Sequence, residues 1–534
     1  MTSRVRAALL LLLVAAFGWR VQGLSRQSLW RDEVDAVYFA TRHLPDTLSM
    51  FVQAGQNGPL FFLALRPWFW LTGTSEFAVR FVSAMAGVLS VALLWQVTRQ
   101  LIPTRLHEAS PEDDGPSYPV QTAPATANLI PFAAAVFLAA NPYQLWYSQE
   151  GKMYTVVTAI VLLSSWLFWR GITAGGWRPW LGYLLTVTVG LYTHLLLILL
   201  YPLHMVWFLI AWPQSKRHWQ GYGLALAGLI VPYAPMVWWQ WDLLTAGHQM
   251  TGFSFTPLPE MLRILLFNQS RGFMPEPHII WLAPVFFLGA AGLLLGPGEI
   301  GSRQWRASGE PGPSLSPWRR YGLLLSWLVL PVLTIYALSL RQPIFTDRYI
   351  VWIAAAAMIF LALGVQAVWR HSGQIFRYLA FALAVYIVVF WLYAGWQQKT
   401  LPMKYDLRAG VTYIADRRSP DTLLLLQIPH LQYAVQYYTS GFGPRPFEGG
   451  SERLGNWAEG LWTNNGWDDD QARMLADQQM RELTAGASEV WVLRSEVEMW
   501  DQRHLMEEWL DTHGTLLESA DFNGVQVRRY RLEP

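Results

Sequence analysis

Ser28-Leu-Trp-Arg-Asp-Glu-Val-Asp-Ala-Val-Tyr-Phe39 follows the first hydrophobic segment directly and carries three carboxylates in four positions. Acids beside a membrane helix are costly and therefore point to a use. On a helix, Asp32 and Asp35 share a face (i, i+3), whereas Glu33 points elsewhere. A carboxylate here can act as a general base toward a hydroxyl, or coordinate a divalent metal that holds a phosphate. The plainer alternative is a favourable interaction with a helix N-terminus, and Asp35 is assigned to it.

Further candidates lie in other short segments. Asn141-Pro-Tyr-Gln-Leu-Trp-Tyr-Ser-Gln-Glu150-Gly-Lys-Met-Tyr154 sets Glu150 and Lys152 among tyrosines and a tryptophan. The aromatics alone read as an interface belt. With them, Lys152 can bind a lipid phosphate as a point charge, while Glu150 orients it or ligates a metal. His194 sits at a tight turn between two apolar segments, either as a satisfied structural residue or as a ligand. Arg341-Gln-Pro-Ile-Phe-Thr-Asp-Arg-Tyr349 brings Arg348 to headgroup level, where a guanidinium grips a phosphate through two parallel hydrogen bonds. The alternatives are headgroup anchoring or pairing with Asp347. Arg80 shares that ambiguity.

These residues need elements to hold them, and composition says which. Of 534 residues, 53% are hydrophobic and only 14% charged, with 30 tryptophans. A soluble domain normally carries nearly twice that charged fraction. The chain therefore reads as a polytopic α-helical membrane protein. Its net charge of +2 and scattered basic residues give no footprint for nucleic acid. The absence of cysteine excludes disulfides, iron–sulfur clusters and thiol chemistry. Neither a Walker A motif nor a dinucleotide fingerprint is present, so nothing suggests ATP or NAD.

With about 20 apolar residues needed per crossing, the sequence predicts roughly eleven spans. They fall near 7–24, 78–98, 128–146, 152–170, 179–196, 196–212, 221–240, 279–296, 321–340, 349–369 and 378–396. The first resembles a signal peptide but lacks a small-x-small site after the apolar run, so it is read as an uncleaved helix. Arg4 and Arg6 place the N-terminus in the cytoplasm, and basic residues recur in every loop then predicted to be inner. The odd span count puts the C-terminal tail outside, with the Asp32 loop. Residues 1–396 form the membrane domain, and 25–77 its first outer loop. Within that loop, Gly58–Leu71 is apolar but short and interrupted by Pro67, which suits an interfacial helix. Thr74-Ser75-Glu76 looks like a cap for the second span. Segments 106–127 and 297–318, rich in Pro, Gly, Ser and Thr, read as flexible inner loops.

From about Gln397 charges become frequent and long apolar runs stop. Residues 405–417 read as a helix, and 422–428 and 489–494 as strands. Segments 514–520 and 524–532 read as a closing pair around Asp521-Phe-Asn-Gly. Residues 397–534 are thus a small extracytoplasmic α/β domain. Asp468-Asp-Asp470 superficially suggests a nucleotide-sugar motif but reads better as a charged first helical turn. Asn268-Gln-Ser is a glycosylation sequon by pattern only.

Taken in order, several segments resemble a known family. They are Leu29-Trp-Arg-Asp-Glu-Val34, Asn57-Gly-Pro-Leu-Phe-Phe-Leu63, Ser75-Glu-Phe-Ala-Val-Arg80, Asn141-Pro142 with Tyr147–Tyr154, Tyr192-Thr-His194 and Asp347-Arg-Tyr349. Together they resemble the bacterial GT-C glycosyltransferases akin to protein O-mannosyltransferases and the lipid A aminoarabinose transferase, over about residues 5–396. The resemblance implies a polyprenyl-phosphate sugar donor entering from the lipid side and transfer to an acceptor on the outer face of the plasma membrane. It implies Asp32 as base or acceptor-orienting acid with Glu33 beside it, Glu150 as a second acid, and Lys152 and Arg348 on the phosphate; His194, Arg80 and Tyr154 are further binding candidates. Two positions depart: Asn57 stands where many members have His, which bears on any metal or His-assisted role, and Lys152 where many have Arg. Lysine keeps the charge and loses the bidentate grip.

Two other classes compete. A transporter or flippase for lipid-linked sugars should carry its charges at the bilayer midplane in broken helices, whereas here they cluster at outer ends. A membrane anchor for a binding domain needs far fewer spans. The sugar, the prenyl chain, the acceptor (protein, lipid or glycan) and the use of a divalent metal stay open.

Overall fold

The computed structural model describes residues 3–533 except 54, 103–128, 242–244, 246–253, 276, 301–314, 372, 420, 440–453 and 457–467. The proposed inner loop 106–127 lies outside these residues, as does most of 297–318. The chain divides into two compact units. One comprises Met1–Gln22, Leu48–Phe61 and Phe81–Gln398; the other Gly23–Thr47, Phe62–Arg80 and Lys399–Pro534. Most of the acidic first loop therefore folds as one body with the C-terminal part of the chain.

The first unit is helical. Among the described residues, seven helices are long and apolar enough to cross a bilayer: Glu76–Leu101, Tyr154–Ala174, Lys216–Trp239, Ile279–Glu299, Pro317–Ser339, Asp347–Arg370 and Gln374–Thr400. An eighth is the pair Leu129–Ala140 and Pro142–Ser148, bent by 58°. The bend falls where Pro142 cannot continue the hydrogen-bond ladder. The other three apolar segments expected as spans form Ser3–Val21, Trp177–Thr193 and the broken Leu195–Ile210. The first carries three arginines and the others are shorter than a full crossing. Helix Leu60–Thr72 continues through Pro67, which does not interrupt it.

Helix 354–370 is the core of this unit and is buried over nearly its whole length. Its Gly364 lies against the Leu288 carbonyl of helix 283–299, and Gly292 of that helix lies against the Phe360 carbonyl. A Cβ at either glycine would collide with backbone, the close approach that small residues permit between membrane helices. Two buried arginines close helix ends whose last carbonyls would otherwise lack partners. Arg20 donates to Leu138 O (3.1 Å) and Ala139 O (3.0 Å) at the break before Asn141. Arg320 donates to Leu101 O at 2.8 Å.

In the second unit a five-stranded sheet runs in the order β2-β1-β3-β5-β4. The strands are β1 (Leu423–Leu426), β2 (Leu454–Asn456), β3 (Glu489–Ser495), β4 (Gly514–Phe522) and β5 (Val525–Leu532). β1 is parallel to β2 and β3, while β5 is antiparallel to β3 and β4. Inward residues Leu423, Leu425, Val490 and Val492 alternate along their strands, as period-two geometry requires. They pack on Ala472 and Met480 of helix Asp469–Thr484 and on Met506 and Leu510 of helix Leu505–His513. Helix Leu407–Ala415 lies on the sheet through Gly410, which touches Val525 and Leu493. The expected helix, both longer strands and the closing pair all appear. Asp468 caps its helix by accepting from Gln471 N at 2.8 Å, with Asp469 and Asp470 in the first turn.

Candidate functional site

Helix Arg31–Thr41 presents the acids in the second unit. Ser75 Oγ accepts from Ala78 N (3.3 Å), capping the start of helix 76–101 as expected and orienting Arg80 one turn later. Glu33 is fully buried. Its Oε1 accepts from Arg80 Nε (2.7 Å), and its Oε2 from Arg80 Nη2 (2.6 Å) and Lys404 Nζ (3.1 Å). Glu33 also reaches back toward Trp30 N at 3.4 Å, one arm of a capping box.

Arg80 places its remaining three donors on loop carbonyls: Leu24 O (2.6 Å), Gln27 O (2.7 Å) and Ser28 O (2.7 Å). A guanidinium has five N–H donors, and all five are engaged. Arg80, expected at a phosphate, is instead the internal clamp of the acidic loop. Glu33 is likewise committed to a buried ion cluster, a structural use that its position in the sequence does not reveal.

Asp32 has a different setting. Its side chain keeps 16% of its accessibility, and its Oδ1 lies 3.7 Å from Arg31 Nη2. Arg31 Nε donates to both oxygens of Glu496 at 3.0 and 3.1 Å. Burial alone would weaken the Arg31 cation, but Glu496 and Asp32 hold its pKa above the ordinary value. Asp35 is buried.

Residues absent from the sequence argument complete this unit. Tyr438 OH accepts from Leu29 N (2.8 Å) and donates to Glu76 Oε1 (2.9 Å). Burial, and then the Glu76 carboxylate, push the Tyr438 phenol well above its ordinary value, so it stays a donor. Arg408 Nη1 donates to Glu76 Oε2 (2.9 Å), and Arg408 N to Ser28 Oγ (3.1 Å). Tyr433 stacks on Tyr38 with centroids 3.9 Å apart. The partners are separated by hundreds of positions, and no local pattern marks them.

The first unit holds the remaining candidates. Asn141 caps helix 142–148 by accepting from Gln144 N (3.0 Å) and donates to Gln269 O (2.8 Å). Glu150 is buried in the turn that follows. Ser83 Oγ donates to Lys152 O (2.8 Å) and Thr155 Oγ1 to Ser83 O (2.9 Å), fixing that turn. Lys152 is half-buried. The Arg348 guanidinium lies over the rings of Tyr154 (5.7 Å) and Tyr349 (6.0 Å). His194 packs on Tyr349 (5.0 Å) and Tyr154 (6.3 Å). His194 Nδ1 accepts from Leu196 N (3.3 Å), while its buried Nε2 has no partner among the described residues. Tyr154, His194 and Arg348 are thus brought together.

Asn57 Oδ1 accepts from Leu195 N (3.1 Å), and Gly58 lies against the Tyr192 carbonyl. The Asn57-Gly58 and Tyr192–His194 motifs therefore meet. Asn268, the glycosylation sequon, lies in helix 258–271 and donates its amide to Asp347 Oδ2 (2.7 Å). Among the described residues no three His, Asp or Glu side chains form a group able to hold a metal ion.

Solved structures share this architecture along the whole chain. ArnT from Cupriavidus metallidurans in the apo state matches at TM-score 0.56 and 12% identity, over 99% of this chain and 98% of that one. ArnT bound to undecaprenyl phosphate matches at TM-score 0.53, with the same identity and coverage. Archaeal oligosaccharyltransferase AglB from Archaeoglobus fulgidus, in complex with an inhibitory peptide and a dolichol-phosphate, matches at 0.52 and 12% identity, over 98% and 74% of the two chains. The fold is that of the GT-C glycosyltransferases. Arabinofuranosyltransferase AftD from Mycobacteria matches at 0.54 and 14% identity, over all of this chain and 40% of that one. By sequence, neither a family model nor a curated protein matches.

Proposed function

We propose that the protein moves a sugar from a polyprenyl-phosphate donor to an acceptor on the extracytoplasmic face of the plasma membrane, with Asp32 as the base or acceptor-orienting acid. The observation that carries this reading is the division of labour between adjacent carboxylates. Glu33 is spent on Arg80 and Lys404, while Asp32 stays partly accessible on the helix that those bonds anchor.

The chemistry is modest. A phosphate leaves readily, so transfer needs deprotonation of the incoming hydroxyl and stabilisation of the released phosphate. Asp32 meets the first need. Arg348, with Tyr154 and the open Nε2 of His194, suits the second, and Lys152 offers a further positive charge. Glu150 is left as a buried acid near the phosphate-binding candidates. The likeness to ArnT with undecaprenyl phosphate and AglB with dolichol-phosphate supports a lipid-phosphate donor. The recurrence of basic residues in alternate loops supports a cytoplasmic N-terminus and an outer C-terminal domain.

A transporter should carry charge in its broken helices. The bent pair 129–140 and 142–148 contains no charged residue, which disfavours that class.

The test is a panel of labelled polyprenyl-phosphate sugars presented to membranes containing the protein together with a cell-envelope acceptor extract. The expected result is consumption of one donor, release of polyprenyl phosphate and transfer of the label to the acceptor. Movement of an intact lipid-linked sugar across the bilayer without bond cleavage would overturn the reading.

A further inference from the structure

Among the described residues only Glu496 and His504 adopt positive φ without being glycine. Glu496 follows β3 at φ 55° and ψ 38° and is 4% exposed. A left-handed non-glycine residue is strained by about 1–3 kcal/mol and persists where its surroundings demand it. Glycine would be relaxed there, so the side chain must supply what glycine cannot. What it supplies is a carboxylate gripping Arg31 Nε with both oxygens.

Lys404 is a second tie. Its Nζ reaches Glu33 (3.1 Å), its N–H donates to Gln27 Oε1 (2.9 Å), and its carbonyl accepts from Asn523 Nδ2 (2.8 Å). Arg31 and Glu33 flank Asp32. At about 100° per residue, positions 31 and 33 project roughly 200° apart. Arg80 and Lys404 hold the helix on the Glu33 side and Glu496 holds it on the nearly opposite Arg31 side, so the ties together set its rotation and with it the direction of Asp32.

We propose that Lys404 and Glu496, from the C-terminal domain, are positioning residues for Asp32. This rests on the reading of Asp32 as the base or acceptor-orienting acid. It gives the α/β domain a part in the reaction: it aims the acid, and displacing it disarms the loop. A misplacement of about 1 Å can cost about a hundredfold in rate.

The test uses the full chain in detergent or nanodiscs and compares wild type, Asp32→Asn, Glu496→Gly, Lys404→Met and Lys404→Arg. Amide exchange is followed at residues 28–41 and in β3, with kcat and donor KM measured separately. Glu496→Gly relieves the backbone strain but leaves Arg31 without its carboxylate, so the two effects oppose each other and its melting temperature should fall only modestly. Its 28–41 amides should nevertheless exchange about tenfold faster while β3 stays protected. Its kcat should fall by about 10- to 100-fold with little change in donor KM. Lys404→Met should behave alike, and Lys404→Arg should restore most of kcat. Wild-type exchange at 28–41 in Glu496→Gly overturns the proposal whatever the activity. Faster exchange with full kcat also overturns it, while an inactive Asp32→Asn leaves the base reading standing. An active Asp32→Asn sinks the base reading, and the exchange data then report separately whether the ties exist.

Discussion

Replacing Glu33 by Gln keeps the shape of the side chain and removes its charge. The structure assigns this carboxylate three charge-assisted hydrogen bonds, from Arg80 Nε, Arg80 Nη2 and Lys404 Nζ. Glutamine offers one acceptor oxygen and turns an NH2 group toward a guanidinium that can only donate. Two buried cations then lack their counter-charge, which costs about 3–5 kcal/mol. For a unit of about 150–250 residues each kcal/mol lowers the melting temperature by about 2–4 °C, so a fall of about 6–20 °C is expected. Asp32→Asn gives up the charge of a 3.7 Å, partly exposed pair with Arg31, a contact worth about 0–1 kcal/mol. Its melting temperature should stay within about 4 °C of wild type. Thermal unfolding of the purified variants, followed by tryptophan fluorescence, makes the comparison. Equal shifts for the two variants would refute the division of roles between neighbouring acids.

Further outcomes follow from single contacts. Tyr438→Phe removes the acceptor of Leu29 N and the donor to Glu76; it should cost about 1–3 kcal/mol in thermal unfolding, and a wild-type midpoint would contradict the assignment. Gly58→Ala drives a Cβ into the Tyr192 carbonyl; a loss of about 1–3 kcal/mol is expected, checked by the same melt. Arg348→Ala should raise donor KM by about 10- to 100-fold, with Arg348→Lys in between, since a charged hydrogen bond is worth about 1.5–3 kcal/mol; an unchanged KM in transfer kinetics would remove Arg348 from the phosphate. The chain has no cysteine, so Glu533→Cys is its sole thiol. A membrane-impermeant maleimide should label it from outside intact cells, and labelling only after permeabilisation would reverse the orientation.

Much of this fold is written in local patterns. Apolar runs mark the spans and the buried strands β1 and β3, and the turn signal Asp521-Phe-Asn-Gly524 marks the pair β4 and β5. The Ser75 cap and the charged turn at Asp468–Asp470 could be read for the same reason: each signal lies within a few residues. The short β2 and the helix Leu431–Thr439 carry too little pattern to be seen. At the candidate site the sequence singled out the acidic loop and set Asp35 aside but did not separate Asp32 from Glu33. Asp32 and Glu33 are adjacent and chemically alike, and their fates are set by Arg80, Lys404 and Glu496, which arrive from 47 to 465 positions away. Arg80 illustrates the same limit. A lone arginine at the start of a span reads as a headgroup ligand until its five donors are counted.

The most direct test of the central claim is sugar transfer from the polyprenyl-phosphate donor by wild type and by Asp32→Asn at matched expression and matched melting temperature. The account predicts turnover by wild type and a loss of at least about a hundredfold in the variant, the low end of what a positioned general base contributes. Equal transfer by the two proteins would contradict it and send the search for the base to other acids.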